Sequence, residues 1–150
     1  MIHPDLRIGT CSWNYSCWMG LVYTRKYRTA AEYLREYAQK YRTVEVDSFF
    51  YRIPSEKDVL NYKEAVDDDF RFTIKAPQGI TLTHHRVKEK GSALQPNENF
   101  LSAEFYADFI ERIAQLSQNI TAVMLEFEYL RKEKMGSLHL FLKALEGFVE

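Results

Sequence analysis

Cysteine is almost missing from this chain: two residues in 150, Cys11 and Cys17, with five residues between them. That spacing is neither the CxxC of a redox centre nor half of a zinc knuckle, and no second pair of ligands supports a structural zinc. Two free thiols belong in a reducing compartment, so a cytoplasmic protein is expected. Charge of one sign is missing too. Lys and Arg number 20 against 21 Asp and Glu, for a net charge of −1, and no overall field selects nucleic acid or an anionic membrane. No apolar run approaches the roughly 20 residues of a membrane span, and the first ten residues lack a signal-peptide core. GxGxxG, P-loop, GxSxG and HExxH motifs are all absent, which leaves nucleotide cofactors and a serine nucleophile without support. No cofactor is expected.

What is present is 46% hydrophobic residues, enough for one core, so residues 1–150 are read as a single domain. The hydrophobic period switches regularly between strand and helix. LRIGTCSW (6–13) reads as a short strand, and TAAEYLREYAQKY (29–41) as a helix opened by a Thr29/Glu32 capping box. TVEVDSFF (43–50) is the next strand, followed by a helix from Pro54-Ser55 to about Val66. DFRFTIKAP (69–77) is a third strand, stopped by Pro77, which has no amide hydrogen for the ladder. A long polar connection runs from Gln78 to Leu101, a length that marks a functional or mobile loop. A helix over 102–118, a fourth strand over 120–130 and a helix over 138–149 complete the chain. Strands alternating with helices predict an α/β protein with a parallel sheet.

The second strand carries Glu45 and Asp47 on one face, opposite Val44 and Val46. The other strands repeat the layout. Phe70, Phe72 and Ile74 share one face, with Arg71, Thr73 and Lys75 on the other; Val123, Leu125 and Phe127 share one, with Met124, Glu126 and Glu128 on the other. Apolar faces suit helices, and the charged faces suit the inner wall of a barrel enzyme. Sheltered charges cost several kcal/mol each unless paired, so Lys75 is expected between Glu45 and Glu126. A purely structural ion-pair network is the competing reading. Glu45, Asp47, Lys75, Glu126 and Glu128 fall towards the C-terminal strand ends, where active sites of α/β barrels gather, whereas Arg71 lies at the entry end and is read as structural.

IGTCSWNYSCWMGLVYTRKY, TVEVDSFFYRIPS and FRFTIKAPQGITLTHH, in that order, resemble the YecE-like family, also called domain of unknown function 72. The family's GTxxW motif falls on Gly9, Thr10 and Trp13, its aromatic loop on Tyr15, Trp18, Gly20 and Tyr23, its ExNxxFY pattern on Glu45, Asp47, Phe50 and Tyr51, and its KxP pattern on Lys75 and Pro77, with a following His at His84. Asp47 stands where the family usually has Asn, and LEFEYL (125–130) replaces the commoner FQLPP, so the pocket is more acidic than usual. The resemblance implies a TIM-barrel-like (β/α)8 fold whose activity is not settled. Four strands and four helices are half of the eight and roughly 250 residues that such a barrel needs. The chain is therefore expected to match an N-terminal half-barrel, with two open sheet edges that invite self-association.

Three functional readings follow. The first is an acid–base enzyme acting on a small polar, sugar-like or phosphorylated substrate: Glu45 is the base, Lys75, Asp47 and Glu126 complete the charged set, and Trp13, Trp18 and Tyr51 form apolar walls. Tyr15, His84, His85 and Glu128 are further candidate substrate-binding residues on the rim loops. The second is metal-assisted phosphodiester hydrolysis or nucleic-acid binding, with a divalent metal held by carboxylates and His84 or His85, and THHRVKEK (83–90) presented to phosphates. Lys75 argues against a metal beside Glu45, because the ammonium already neutralises that position. The third is a domain that binds without catalysis. Each aromatic could equally be packing, and the two histidines a solvated loop pair.

Overall fold

The computed structural model describes residues 6–86 and 92–150. Its centre is a four-stranded parallel sheet in the order β1-β2-β3-β4, formed by β1 (Thr10–Cys11), β2 (Thr43–Val46), β3 (Arg71–Lys75) and β4 (Ile120–Met124). Strands that follow chain order step in one direction, as in a barrel; a doubly wound sheet reverses. Val44, Val46, Phe72 and Ile74 are sealed under the helix layer, whereas Thr43, Glu45, Thr73 and Lys75 on the opposite face are only partly covered.

Helix α1 (Ala30–Tyr37) begins at the expected capping box, with Thr29 and Glu32 satisfying each other's free amides. It turns Tyr33, Leu34 and Tyr37 into the core. A single turn, α2 (Ser48–Tyr51), follows β2 directly, and α3 (Glu56–Lys63) starts at a Ser55/Asp58 capping box. After β3 come α4 (Gln78–Thr81) and α5 (Ala103–Arg112), with Ser102 capping α5. A 3-10 segment over Ala114–Asn119 leads into β4, and the described chain ends with α6 (Lys132–Met135) and α7 (Leu138–Val149).

Several expected boundaries shift. The first strand is two residues long rather than eight, because Ser12 takes a left-handed φ of 59° and turns the chain out of the sheet. The fourth strand stops at Met124 rather than Leu130; β3 ends at Lys75, so nothing remains to pair with Leu125 onward. The polar connection is partly built: α4 occupies its start, His84 bridges Pro96, and buried Asn97 donates Nδ2 to the Gly79 and Leu82 carbonyls at 2.7 and 2.6 Å. Residues 87–91, which include the second half of the THHRVKEK run, lie outside the described residues.

Gly9 shows why the first motif holds a glycine. A Cβ there would sit 2.0 Å from the Thr43 carbonyl oxygen, so any side chain would force β1 away from β2.

Candidate functional site at the C-terminal sheet rim

Strand registers decide which side chains meet. Cys11 pairs with Glu45, Glu45 with Thr73, and Lys75 with Met124, so all of these project from the face opposite the helices. Lys75 closes β3, and its Nζ lies 2.8 Å from Asp47 Oδ1, 2.7 Å from Glu126 Oε2 and 3.3 Å from Glu45 Oε1. The lysine side chain is 15% exposed; Glu126 is the most exposed of its partners. An ammonium has three N–H donors, and here three carboxylates surround it. The Phe50 ring lies 5.9 Å below the same nitrogen.

Hydrogen bonding to Asp47, and then to Glu126, raises the Lys75 pKa well beyond its ordinary value, against the opposing effect of burial. Lys75 is thus a permanent cation, not a base or an imine-forming amine. Cys11 donates its thiol to Glu45 Oε1 at 3.1 Å. That hydrogen bond, with burial and the nearby negative charge, pushes the thiol pKa up to about 11 and keeps it from acting as a thiolate nucleophile. A hollow of about 280 Å³ beside these groups is lined by Cys11, Glu45, Thr73 and Met124 among others. A larger one, about 560 Å³, lies between Thr24–Tyr27 and α1, away from the charged set, and its wall includes the capping Glu32. Convergent ionisable groups matter more than volume here, so the Lys75 cluster, which the smaller hollow reaches at Glu45, is the candidate site.

Glu45, Asp47, Lys75 and Glu126 are therefore brought together. Glu128 is not among them. Its Oε1 accepts from the Thr83 amide and hydroxyl at 3.2 and 2.9 Å, and its Oε2 from Lys134. Burial pushes this carboxyl up, but the Lys134 and Thr83 contacts outweigh it and hold the group below the ordinary range. Lost strand alternation after Met124 explains the separation of Glu126 from Glu128. His84 Nδ1 is 3.0 Å from Thr83 Oγ1, and His85 Nε2 is 2.9 Å from Glu98 Oε2. Neither histidine makes a recorded hydrogen bond to the Lys75 cluster.

The aromatic candidates divide. Trp13, expected as a wall, is buried at 2% exposure, donates Nε1 to the Ala30 carbonyl at 2.8 Å and packs edge-on against Tyr62. The turn at Ser12 breaks the strand parity and sends Trp13 into the core. Tyr15 swings back and donates its hydroxyl to the Cys11 carbonyl at 3.2 Å, with Trp18 tilted against it at 4.8 Å. Tyr51 is exposed. Arg71 donates to the Asp68 and Phe70 carbonyls at the entry end of β3. Sequence reasoning missed Cys11, which looked like an isolated thiol; its register with Glu45 was the available signal.

The family model described as "Protein of unknown function DUF72" matches residues 7–149. The chain belongs to the DUF72 family. UPF0759 protein YecE of Escherichia coli K12 is 27% identical over 141 residues, which cover 93% of this chain and 44% of that protein. A crystal structure of a DUF72 family protein from Enterococcus faecalis V583 aligns with a TM-score of 0.61 at 24% identity, covering 95% of this chain and 46% of that one. One from Thermotoga maritima MSB8 aligns at 0.59 and 20% identity, covering 92% and 51%. These likenesses support a partial TIM-barrel-like fold, and the chain spans about half the length of the DUF72 proteins it matches. Among the described residues no helix is long and apolar enough to cross a membrane.

Proposed function

We propose that this DUF72 chain carries an acid–base site for a small polar, sugar-like or phosphorylated substrate at the C-terminal rim of its sheet. One observation carries the reading: Lys75 Nζ, at the end of β3, lies within 3.3 Å of two carboxylates from the end of β2, Glu45 and Asp47, and of Glu126 in the segment after β4. A carbonyl or phosphate oxygen reaching the cluster competes for one of the three ammonium donors. Glu126, half-exposed and beyond the end of β4, is the partner that yields. Asp47 keeps Lys75 in place, and Glu45, the most distant of the three, takes a proton from the substrate while Lys75 meets the charge that develops on oxygen. Tyr15, bonded to the Cys11 carbonyl, and Trp18 against it supply aromatic surface next to that residue's thiol. The free thiols of Cys11 and Cys17 fit a cytoplasmic setting.

A metal reading draws on the donor atoms of Cys11, Glu45 and Asp47, which lie within 4.8 Å of one another. A divalent cation would have to displace Lys75 from both carboxylates and deprotonate a thiol whose pKa is pushed up to about 11. The charge and the chemistry of this donor set therefore favour the metal-free reading. The metal-assisted phosphodiester route recedes with the metal; nucleic-acid binding rests on a basic run whose second half lies outside the described residues.

Thermal-shift titration with sugar phosphates, small keto and hydroxy acids, and Mg²⁺, Mn²⁺ or Zn²⁺ tests the proposal. A metal-independent shift given by an organic ligand, lost in folded Glu45→Gln and Lys75→Met variants, is expected. Stabilisation by metal alone, or ligand shifts that survive both substitutions, would overturn it.

A further inference from the structure

Helix α1 and the turn after it place Arg35, Glu36 and Gln39 along one wall of the hollow of about 560 Å³, and Thr24, Arg25 and Tyr27 line the wall opposite. Two hydrogen bonds pin these walls together. The Thr24 amide donates to Glu36 Oε1 at 2.9 Å, and Lys40 Nζ donates to the Leu21 carbonyl at 2.8 Å. Every group named comes from one continuous stretch, residues 21–40, so the hollow is a locally built feature.

Glu36 is only 8% exposed, and its second oxygen, Oε2, is buried without a hydrogen-bond partner. Burial pushes this carboxyl up, but the nearby Tyr27 and Thr24 hydroxyls and the Thr24 amide outweigh it and hold the group below the ordinary range. A sheltered anion with one bare oxygen calls for a donor, best a cationic one. The arginines show the opposite deficit. Arg7, Arg42, Arg52 and Arg112 each pair with a carboxylate, whereas Arg25 and Arg35 make no ion pair among the described residues. Both are exposed, and Arg25 rests over the Tyr27 ring at 5.1 Å. Glu32, the other acid in the wall, is committed to the helix cap, where its Oε2 accepts from the Arg28 and Thr29 amides and the Thr29 hydroxyl.

We infer that this hollow binds a free α-amino acid, with its ammonium on Glu36 Oε2 and its carboxylate between the guanidiniums of Arg25 and Arg35. An inorganic anion would satisfy the arginines but face Glu36, and a metal cation would satisfy Glu36 but meet two guanidiniums. A zwitterion answers both deficits at once. The volume leaves room for a side chain as well. Oε2 is closed to water as the walls stand, so the ammonium reaches it as the exposed Arg25 chain leaves the Tyr27 ring for the ligand's carboxylate. This binding stands apart from the chemistry proposed at Lys75, and neither depends on the other.

Amide ¹⁵N–¹H correlation spectra of the full chain, titrated with each free L-amino acid up to about 10 mM, test it. At least one should shift the Thr24, Arg25 and Arg35 signals in a saturable way. Its N-acetyl derivative, which lacks the ammonium, and its carboxamide, which lacks the carboxylate, should each bind about tenfold more weakly or worse. Glu36→Gln keeps an acceptor for the Thr24 amide, and Arg35→Ser alters an exposed position, so both should stay folded by circular dichroism and both should lose the response to the same degree. No saturable shift with any amino acid would overturn the inference and leave the hollow to water. Equal binding of the N-acetyl form or of the carboxamide, or a response that survives either substitution, would overturn it too.

Discussion

Three carboxylates crowd around one ammonium, so Lys75 stabilises its neighbours as much as they stabilise it. Lys75→Met leaves them facing one another without a counter-ion. Breaking a fully buried pair costs roughly 3–5 kcal/mol; partial exposure of these carboxylates brings the expected loss to about 2 kcal/mol. Urea unfolding measures it. The folded-state pKa of Lys75 lies above its unfolded value, so its share of stability is fully present below the unfolded pKa and fades as pH rises. The gap between native and Lys75→Met chains should accordingly narrow only above about pH 10.4. Glu128 has the opposite sign. Its lowered pKa gives stability that is present above the unfolded value and lost as pH falls through the folded one. Glu128→Gln should cost about 1–2 kcal/mol at neutral pH, with the difference beginning to shrink as pH falls below about 4. For Cys11, exposed yet pushed up to about 11, iodoacetamide labelling at about pH 8 should run roughly a hundredfold slower than for an ordinary thiol. Glu45→Gln should speed it; unchanged labelling would show that the carboxylate does not govern the thiol.

At the scale of the element, the sequence exposed most where a rule has a local cause. The capping box expected at Thr29 appears in the structure with both reciprocal hydrogen bonds, and the helix expected from Pro54-Ser55 starts at a Ser55/Asp58 box, because a cap and its partner lie within one turn. Alternation placed Glu45 and Lys75 on one face for as long as the strands lasted. It failed at Trp13 and Glu128, where the chain had already left the sheet. Strand ends depend on a neighbour's length, and β4 stops where β3 offers no partner; that information lies 50 residues away in sequence. Gly9 was readable as a motif position but not as a cause, since the carbonyl that excludes a Cβ belongs to Thr43. Gly9→Ala should destabilise the fold by about 2 kcal/mol or more, as overpacking against fixed backbone does, and chemical denaturation would register it. A neutral result would mean that β1 can move away from β2 freely.

For the whole molecule, the resemblance to the YecE-like family, set against length and strand count, implied half of a barrel, and the DUF72 relatives are about twice as long as this chain. The exposure of Leu138 and Val149 on α7 could not be read from composition, because apolar residues occur both in a core and at the surface. The charged cluster depends on convergence of three separate chain segments, and the claim that it works as one unit is the centre of this account. ¹⁵N NMR of the lysine side-chain amino groups tests that claim directly, with Lys75→Met identifying the signal. Held by three carboxylates, the Lys75 ammonium should remain visible and slow to exchange with water at neutral pH, and should shift when a stabilising ligand is added. A Lys75 signal that exchanges as fast as those of surface lysines, or ignores such a ligand, would contradict it.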